Sequence, residues 1–161
     1  MVIMVNPRYE LKYVIPGEII EPITSYLSTY CAYDRYTDGE KDHFYTVNSM
    51  YLDTRRFLFF RKRKEGDERR FTMRIRGYRE SNPPPYFLEV KRKDAWSITK
   101  FRERSDSCTI DFLPCTTSND CVTGTLFSRL MKTYNAVPCV FTQYRRRAYN
   151  SLLGDRIRIT I

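Results

Sequence analysis

The sequence predicts an α+β fold in which an antiparallel β-sheet is flanked by helices. Several segments alternate between apolar and charged residues, and this period of two places one kind of side chain on each face of a strand. Aromatic residues make up 15% of the chain, with thirteen Tyr and ten Phe, and aromatic side chains favour strands. Other segments carry apolar residues at helical spacing. The length of 161 residues predicts a single domain, which we place at residues 1–161.

The clearest alternation lies in two neighbouring segments, residues 71–78 (FTMRIRGY) and 86–93 (YFLEVKRK). In each segment, apolar residues recur at every second position. Three consecutive prolines, residues 83–85, lie between the segments and cannot donate to a sheet, so the two strands are predicted to be joined by a hairpin loop. The predicted charged face carries Thr72, Arg74 and Arg76 in the first strand, and Glu89, Lys91 and Lys93 in the second.

The remaining strands and helices are predicted in the same way, from alternation of apolar residues for a strand and from helical spacing for a helix. Further strands are predicted at residues 8–14, 47–52, 95–104, 140–149 and 156–161. Helices are predicted at residues 17–31, 55–62 and 122–134, and Asp53 or Thr54 is placed to cap the second of them. The stretches between them are predicted to be a polar loop at residues 32–43 and a connector at residues 105–123.

The positive charge of the chain is concentrated in one block. The whole chain has a formal net charge of +9. Residues 55–104 hold seventeen Lys and Arg against seven Asp and Glu, a net charge of +10, so the rest of the chain is close to neutral. A block of this kind predicts an anionic partner, and nucleic acid, phosphorylated metabolites, polyphosphate and anionic lipid all remain open on charge alone.

The kinds of charged residue on the predicted strand faces narrow this choice. Arginine binds phosphate oxygens with a forked pair of N–H groups. Glu10 and Glu89 lie among the cations, each two residues from a lysine on the same face, Lys12 and Lys91. Cations suit phosphate and a carboxylate suits Mg²⁺ or Mn²⁺, so this face could hold both. The alternatives are a sheet face that is only solvated, and carboxylates that serve only as partners of the neighbouring cations.

Composition argues against several other classes of protein. There is no run of 18 or more apolar residues, and the N-terminal residues lack the basic flank and length of a signal peptide, so we expect a cytoplasmic protein without a transmembrane segment. The five cysteines have no CxxC spacing, which predicts free thiols rather than a zinc site. No Ser–His or Cys–His arrangement that would indicate nucleophilic catalysis is evident.

Several motifs in order resemble a known family. They are Glu-x-Lys at residues 10–12, SMYLDT at 49–54, MRIRGY at 73–78, FLEVKRK at 87–93, Lys100 with Arg102, QYRRRAY at 143–149, and RIRITI at 156–161. In this order they resemble the VTC domain, the polyphosphate polymerase domain of the vacuolar transporter chaperone complex. That family belongs to the CYTH or triphosphate tunnel metalloenzyme superfamily. The resemblance runs from about residue 8 to residue 161.

The resemblance implies an antiparallel β tunnel, lined with charged side chains, that binds nucleoside triphosphate and inorganic polyphosphate. With Mn²⁺ or Mg²⁺ as cofactor, the terminal phosphoryl group would pass to the growing polyphosphate chain. Alternation within the RRR run separates Arg146 from its two neighbours, at least one of which should face solvent. The implied catalytic residues are Lys12, Arg74, Arg76, Lys91, Arg146 and Arg158; the implied substrate-binding residues are Lys93, Lys100 and Arg102, and the implied metal ligands are Glu10 and Glu89.

The resemblance also implies further strands after RIRIT, which would carry a metal-binding Glu and another basic residue. The tunnel predicted from these 161 residues is therefore incomplete. We expect the encoding DNA to continue into an acidic, strand-forming segment. The alternatives are a truncated phosphate binder and self-association through the open sheet edges.

Three functions remain open at this stage. The first is an enzyme that makes polyphosphate or hydrolyses triphosphate. The second is a non-catalytic module that binds polyphosphate or a nucleotide. The third is a nucleic-acid binder that uses basic strands with interleaved Tyr and Phe. The carboxylates within the basic face argue against the third, so nucleic acid is not the expected partner.

Overall fold

The computed structural model describes residues 3–4, 11–37, 42–78, 85–105, 125–154 and 157–161, with only the backbone described for residues 3–4. The predicted α+β class is confirmed. The described residues fall into two compact units. The first unit is Met1–Arg8 with Asn48–Gln143, and the second is Tyr9–Val47 with Tyr144–Ile161. None of the described helices is both long enough and apolar enough to cross a membrane.

The larger sheet has six strands in the order β1-β6-β5-β4-β3-β7. Strand β6 pairs antiparallel with β1 and β5, and β5 pairs antiparallel with β4. Neither this sheet nor the smaller one closes into a barrel within the described residues, as expected of an incomplete tunnel. The strands are β1 (Ile3–Met4), β3 (Tyr45–Asp53), β4 (Arg69–Tyr78), β5 (Tyr86–Asp94), β6 (Ser97–Ser105) and β7 (Val137–Arg146).

One face of this sheet forms the larger hydrophobic core. Met73 and Ile75 of β4 are buried, and they lie opposite Val90 and Leu88 of β5 in the antiparallel register. This is the apolar set that the alternation at residues 71–78 and 86–93 predicts. Because the side-chain period of a strand is two, burying this set turns the charged set to the other face.

Two short helices flank this sheet. Helix α2 (Leu58–Lys64) begins three residues after the predicted start at residue 55, and Phe57 occupies its N-cap position. The Asp53 carboxylate nevertheless accepts hydrogen bonds from the backbone N–H groups of Phe59 and Phe60, each at 2.9 Å. Thr54 Oγ1 accepts a third, from the Leu58 N–H at 3.0 Å. Both proposed caps are therefore used, and they satisfy N–H groups that a helix start leaves without partners.

Helix α3 (Leu126–Tyr134) has a cap at each end. The Thr125 side chain accepts a hydrogen bond from the Ser128 N–H, and Asn135 ends the helix in the left-handed conformation with φ of 47°. Phe127 is buried, and Leu130 packs against the same core as β4 and β5. The predicted helix at residues 122–134 is confirmed from residue 126, and residues 122–124 lie outside the described residues.

The second unit contains a smaller sheet. Its three strands, in the order β2-β8-β9, are β2 (Cys31–Tyr33), β8 (Ala148–Ser151) and β9 (Arg158–Thr160), all antiparallel. Helix α1 (Ile20–Leu27) follows one 3-10 turn, and its Leu27 is buried with Cys31 and Tyr149. Cys31 and Cys139 are free thiols, as predicted, and the other three cysteines lie outside the described residues.

The structure corrects four sequence predictions. The strand at residues 8–14 is wrong for residues 11–14, which have no regular structure. Leu11 and Tyr13, on the predicted apolar face, are both exposed, so no core holds this alternating pattern in a sheet. The helix at residues 17–31 ends at Leu27. The loop at residues 32–43 contains most of β2. The strand at residues 140–149 is two strands, interrupted at the buried Arg147.

Candidate functional site

Strands β4, β5 and β6 bring the predicted charged residues together in rows across the sheet. In the antiparallel register, Arg74 lies opposite Glu89, and Glu89 lies opposite Arg102. Residues directly opposite one another in a sheet share a face, so these three side chains project from the same side. The next row in the same register contains Thr72, Lys91 and Lys100.

Glu89 is the centre of this arrangement. One carboxylate oxygen, Oε2, lies 2.6 Å from Arg74 Nε, and the other, Oε1, lies 3.3 Å from Arg102 Nε. The Glu89 side chain is 15% exposed and each arginine side chain 29% exposed, so these ion pairs are largely shielded from water. The Arg74 contact is a hydrogen bond that orients this guanidinium, whereas the Arg102 contact is an ion pair whose Nε makes no hydrogen bond within the described residues.

The two arginines are also held at their outer nitrogens. Arg74 Nη1 donates to the Tyr51 hydroxyl at 3.3 Å, and Arg102 Nη2 donates to the Tyr78 hydroxyl at 3.0 Å. The Arg102 guanidinium also lies 3.6 Å from the centroid of the Phe87 ring. This distance is well within the range of a cation–π contact, which further restricts where the guanidinium can move.

Arg76 adds a third guanidinium on the same face. Its side chain is buried, and its Nε donates to the Ser49 hydroxyl on β3 at 3.3 Å. We refer to Arg74, Arg76, Glu89 and Arg102 as the arginine cluster. It holds three positive charges and one negative charge, an excess of two. Such an excess in a shielded site is costly without an anionic partner.

The pKa shifts in the cluster agree with this charge balance. Burial alone would raise the pKa of Glu89, but the nearby Arg74, Arg76 and Arg102 outweigh it and lower the pKa below its ordinary value. Burial likewise opposes the charge of Arg74, but the Glu89 carboxylate more than compensates and raises the Arg74 pKa. Both groups are therefore charged at neutral pH.

The comparison with known protein families agrees with this geometry. The family model of the VTC domain matches residues 7–161, which is nearly the whole chain. The chain belongs to the VTC domain family. Membership suggests a function related to polyphosphate, and the arginine cluster lies within the matched region. No curated protein matches the chain.

Three lysines of this VTC domain lie on β5 and β6 near the arginine cluster. Lys91 is exposed and lies opposite Lys100, which is half-buried. Lys93 is half-buried and lies opposite Arg70 of β4. The structure therefore places Lys91, Lys93, Lys100 and Arg102 on the face that carries Arg74 and Arg76, as the alternation predicts for Lys91 and Lys93.

The candidate residues of the second unit have other surroundings. Arg158 is paired with the buried carboxylate of Asp34. Arg146 is half-buried; its Nη2 donates to Thr160 Oγ1 at 3.0 Å. Lys12 is exposed in a segment without regular structure, and Glu10 lies outside the described residues.

The three consecutive arginines of this VTC domain, residues 145–147, have different surroundings. Arg145 is exposed, in agreement with the expectation that one neighbour of Arg146 faces solvent. Arg147 is buried, and its guanidinium donates to Thr24 Oγ1 at 2.7 Å and to the Asp42 carbonyl at 2.9 Å. These contacts tie distant parts of the second unit together, so Arg147 is a structural residue.

The described residues do not form a metal site by themselves. Among them, no group of three or more His, Cys, Asp or Glu side chains is positioned to hold an ion. Both carboxylate oxygens of Glu89 are engaged by arginines, so its present contacts are those of an arginine-orienting residue. The other predicted metal ligand, Glu10, lies outside the described residues.

Sequence reasoning missed the neutral residues that hold the arginines. Ser49 and Tyr51 of β3 contact Arg76 and Arg74, and Tyr78 contacts Arg102. A signal was present, since Ser49 and Tyr51 are two residues apart and so share a face of a predicted strand. Which face they share depends on how β3 pairs with β4, and the sequence does not state that pairing.

Proposed function

We propose that the arginine cluster and the adjacent lysines bind the phosphate chain of a nucleoside triphosphate or of inorganic polyphosphate. We further propose that the protein transfers the terminal phosphoryl group of the nucleotide to the end of the polyphosphate chain. The observation that carries the proposal is the excess of two positive charges in the shielded group of Arg74, Arg76, Glu89 and Arg102.

The contacts of the cluster leave donors for a phosphate. A guanidinium has five N–H donors on three nitrogens. For Arg74 and Arg102, the contacts within the described part of the chain engage Nε and one Nη nitrogen. The other Nη of each is then available to phosphate oxygens, with its direction set by Glu89 and a tyrosine. Held donors of this kind lose little conformational entropy when the anion binds.

The proposed reaction requires these residues to position the phosphates and to neutralise their charge. An oxygen of the terminal phosphate of the acceptor chain attacks the γ-phosphorus, the bond from that phosphorus to the bridging oxygen breaks, and the nucleoside diphosphate leaves with that oxygen. The attacking oxygen belongs to the substrate, so no protein nucleophile is needed. Cations that neutralise the phosphates and hold them in line supply the main catalytic effect. Lys91 and Lys100 form the row beside Arg74 and Arg102, so a chain of phosphates can extend across both rows.

Mn²⁺ or Mg²⁺ is the cofactor we propose. When bound, such an ion would neutralise part of the triphosphate charge. Mg²⁺ is commonly bound by substrate phosphates, waters and only one or two carboxylates. Because arginines engage both oxygens of Glu89, substrate phosphates and waters would supply the ligands of such an ion.

Two alternatives use the same site. A triphosphatase would direct water rather than a phosphate chain at the γ-phosphorus. A non-catalytic binding module would hold the phosphates without transfer. We also propose a cytoplasmic location and self-association through β1 and β7, which form the edges of the six-stranded sheet within the described residues and could there accept another strand.

Calorimetric titration of the chain with tripolyphosphate, with and without Mn²⁺, tests the binding proposal. The test variant is Arg74→Gln with Arg76→Gln, and the matched control is Arg61→Gln with Arg63→Gln, which removes two exposed charges from α2. We expect the cluster variant to bind at least tenfold more weakly and the control to bind as the parent does. Equal losses in both variants would mean that only general positive charge attracts the anion.

A second experiment separates the three activities. Incubation with ATP and Mn²⁺ gives polyphosphate from a polymerase, inorganic phosphate from a triphosphatase, and neither from a binding module. Competition with single-stranded and duplex nucleic acid is run beside it. Displacement of tripolyphosphate by duplex at comparable concentration would favour the nucleic-acid alternative, which the proposal does not expect.

A further inference from the structure

A groove in the first unit lies away from the arginine cluster. Helices α2 and α3 and one end of strands β4 and β5 enclose a cavity volume of about 320 Å³. Phe71 of β4 and Val90 of β5 line it, and these residues alternate with the positions that carry Arg74 and Glu89. The apolar part of the groove is therefore on the opposite face of the sheet from the proposed phosphate site.

The floor of the groove is aromatic. Phe59, Phe71 and Tyr134 form a three-ring group, with ring centroids 4.4 Å apart for Phe59 and Phe71 and 5.3 to 5.4 Å apart for the pairs with Tyr134. Tyr134 is 37% exposed and Phe59 is buried, so solvent reaches the floor at the Tyr134 ring. An accessible group of packed rings favours the binding of an apolar group, because that group covers ring surface that water otherwise contacts.

The rim of the groove carries only one sign of charge. All five charged residues that line it are cations. Two aspartates outside the lining reduce this charge: Asp67 pairs with Lys62, and Asp94 pairs with Arg69 and Arg92. Five cations against two carboxylates leave an excess of three. The five cations are Lys62, Arg69, Arg70, Arg92 and Lys93.

We propose that this groove binds a compact organic anion, in which one or two rings lie on the aromatic floor and a phosphate or carboxylate lies at the rim. The floor selects against inorganic phosphate, which has no apolar surface to cover. The rim selects against neutral aromatic molecules, which do not neutralise its excess positive charge. The volume is at the lower end of the usual range for small-molecule sites, which sets the limit of one or two rings.

Fluorescence titration of the full chain with 1-naphthyl phosphate tests the proposal, with 1-naphthol and inorganic phosphate as matched probes. The phosphate ester should bind at least tenfold more tightly than either probe, because each probe lacks one half of the recognised group. Equal affinity for the ester and for 1-naphthol would overturn the proposal, since the rim would then contribute nothing.

Variants locate the binding. Arg92→Gln removes an exposed rim charge, and Tyr134→Leu keeps an apolar side chain but removes one ring; each should weaken 1-naphthyl phosphate binding by roughly fivefold or more. Arg74→Gln, on the other face, should leave this affinity unchanged. Thermal unfolding shows whether each variant is folded. If Tyr134→Leu does not fold, the result for Arg92→Gln, a substitution at an exposed position, tests the proposal by itself. The proposal fails if Arg74→Gln weakens binding as much as Arg92→Gln does.

Discussion

Two regions of the molecule use arginine in opposite ways. In the first unit, Arg74, Arg76 and Arg102 share one carboxylate, Glu89, so the group keeps a net positive charge. In the second unit, Arg158 forms an ion pair with the buried carboxylate of Asp34. Arg147 donates hydrogen bonds to the Thr24 hydroxyl and the Asp42 carbonyl. The number of arginines therefore does not identify a phosphate site. The ratio of guanidinium groups to carboxylates in each local group is the better guide.

The largest expected effect concerns the structural arginine of the second unit. Arg147→Met should lower the free energy of unfolding by about 3 kcal/mol, because the buried Thr24 hydroxyl and Asp42 carbonyl lose a charged donor. Urea unfolding measures this change. The neighbouring Arg145→Met, at an exposed position, should cause a much smaller loss. If the two variants lose equal stability, Arg147 does not have the structural role described above.

The next effect concerns the carboxylate of the arginine cluster. Glu89→Gln should lower the free energy of unfolding at pH 7 by about 2 kcal/mol, because three clustered guanidinium groups lose the negative partner that they share within the described part of the chain. The lowered pKa of Glu89 gives the parent a stability term that is fully present above the unfolded-state pKa of about 4.3 and is lost as the pH falls through the folded-state pKa.

Urea unfolding of the parent and of Glu89→Gln at several pH values between 3 and 7 measures this term. The difference in stability between the two proteins should shrink as the pH falls below the ordinary range of a glutamate. A constant difference at all these pH values would show that Glu89 stabilises the fold through packing alone.

A smaller effect distinguishes orientation from charge. Arg102→Lys keeps the positive charge but loses the contacts of the guanidinium with Tyr78 and Phe87. We expect tripolyphosphate affinity to fall roughly tenfold, equivalent to about 1.4 kcal/mol. Arg63→Lys on α2 serves as the control and should leave the affinity unchanged. An unaltered affinity in Arg102→Lys would mean that the cluster acts as a diffuse charge.

The smallest expected effect is in the second unit. Because Asp34 already neutralises Arg158, Arg158→Gln should weaken tripolyphosphate binding by less than about threefold, well below the effect at Arg102. The same calorimetric titration measures it. A loss as large as that of Arg102→Lys would place Arg158 in the binding site, as the family resemblance implies, and would remove the contrast between the two regions.

Local patterns predicted the first region well. The alternation at residues 71–78 and 86–93 placed Arg74, Arg76, Glu89 and Lys91 on one face. Side chains alternate along a strand, so the burial of Met73 and Leu88 on one face turns these residues to the other. The caps at Asp53 and Thr54 were predictable for the same reason, since a helix start is decided within a few residues.

Contacts between distant residues were not predictable. Asp34 and Arg158 are 124 residues apart, and nothing in either local pattern pairs them. The burial of Arg147 depends on Thr24 and Asp42 in the same way. The prediction of a strand at residues 11–14 failed because a long-range contact is missing. The alternation there is as regular as that of β4, but Leu11 and Tyr13 remain exposed. A periodic pattern becomes a strand only where a core receives its apolar side.

The strand–turn–helix at residues 49–60 links the two faces of the large sheet. Ser49 and Tyr51 of β3 contact Arg76 and Arg74, and two residues further along, Asp53 caps α2, which lines the groove. A ligand that stabilises β3 from one face of the sheet therefore also stabilises helix α2 on the other face. Thermodynamic reciprocity makes such a coupling work in both directions. The backbone amides of Phe59 and Phe60, which donate to Asp53, would report it as slower hydrogen exchange when tripolyphosphate binds.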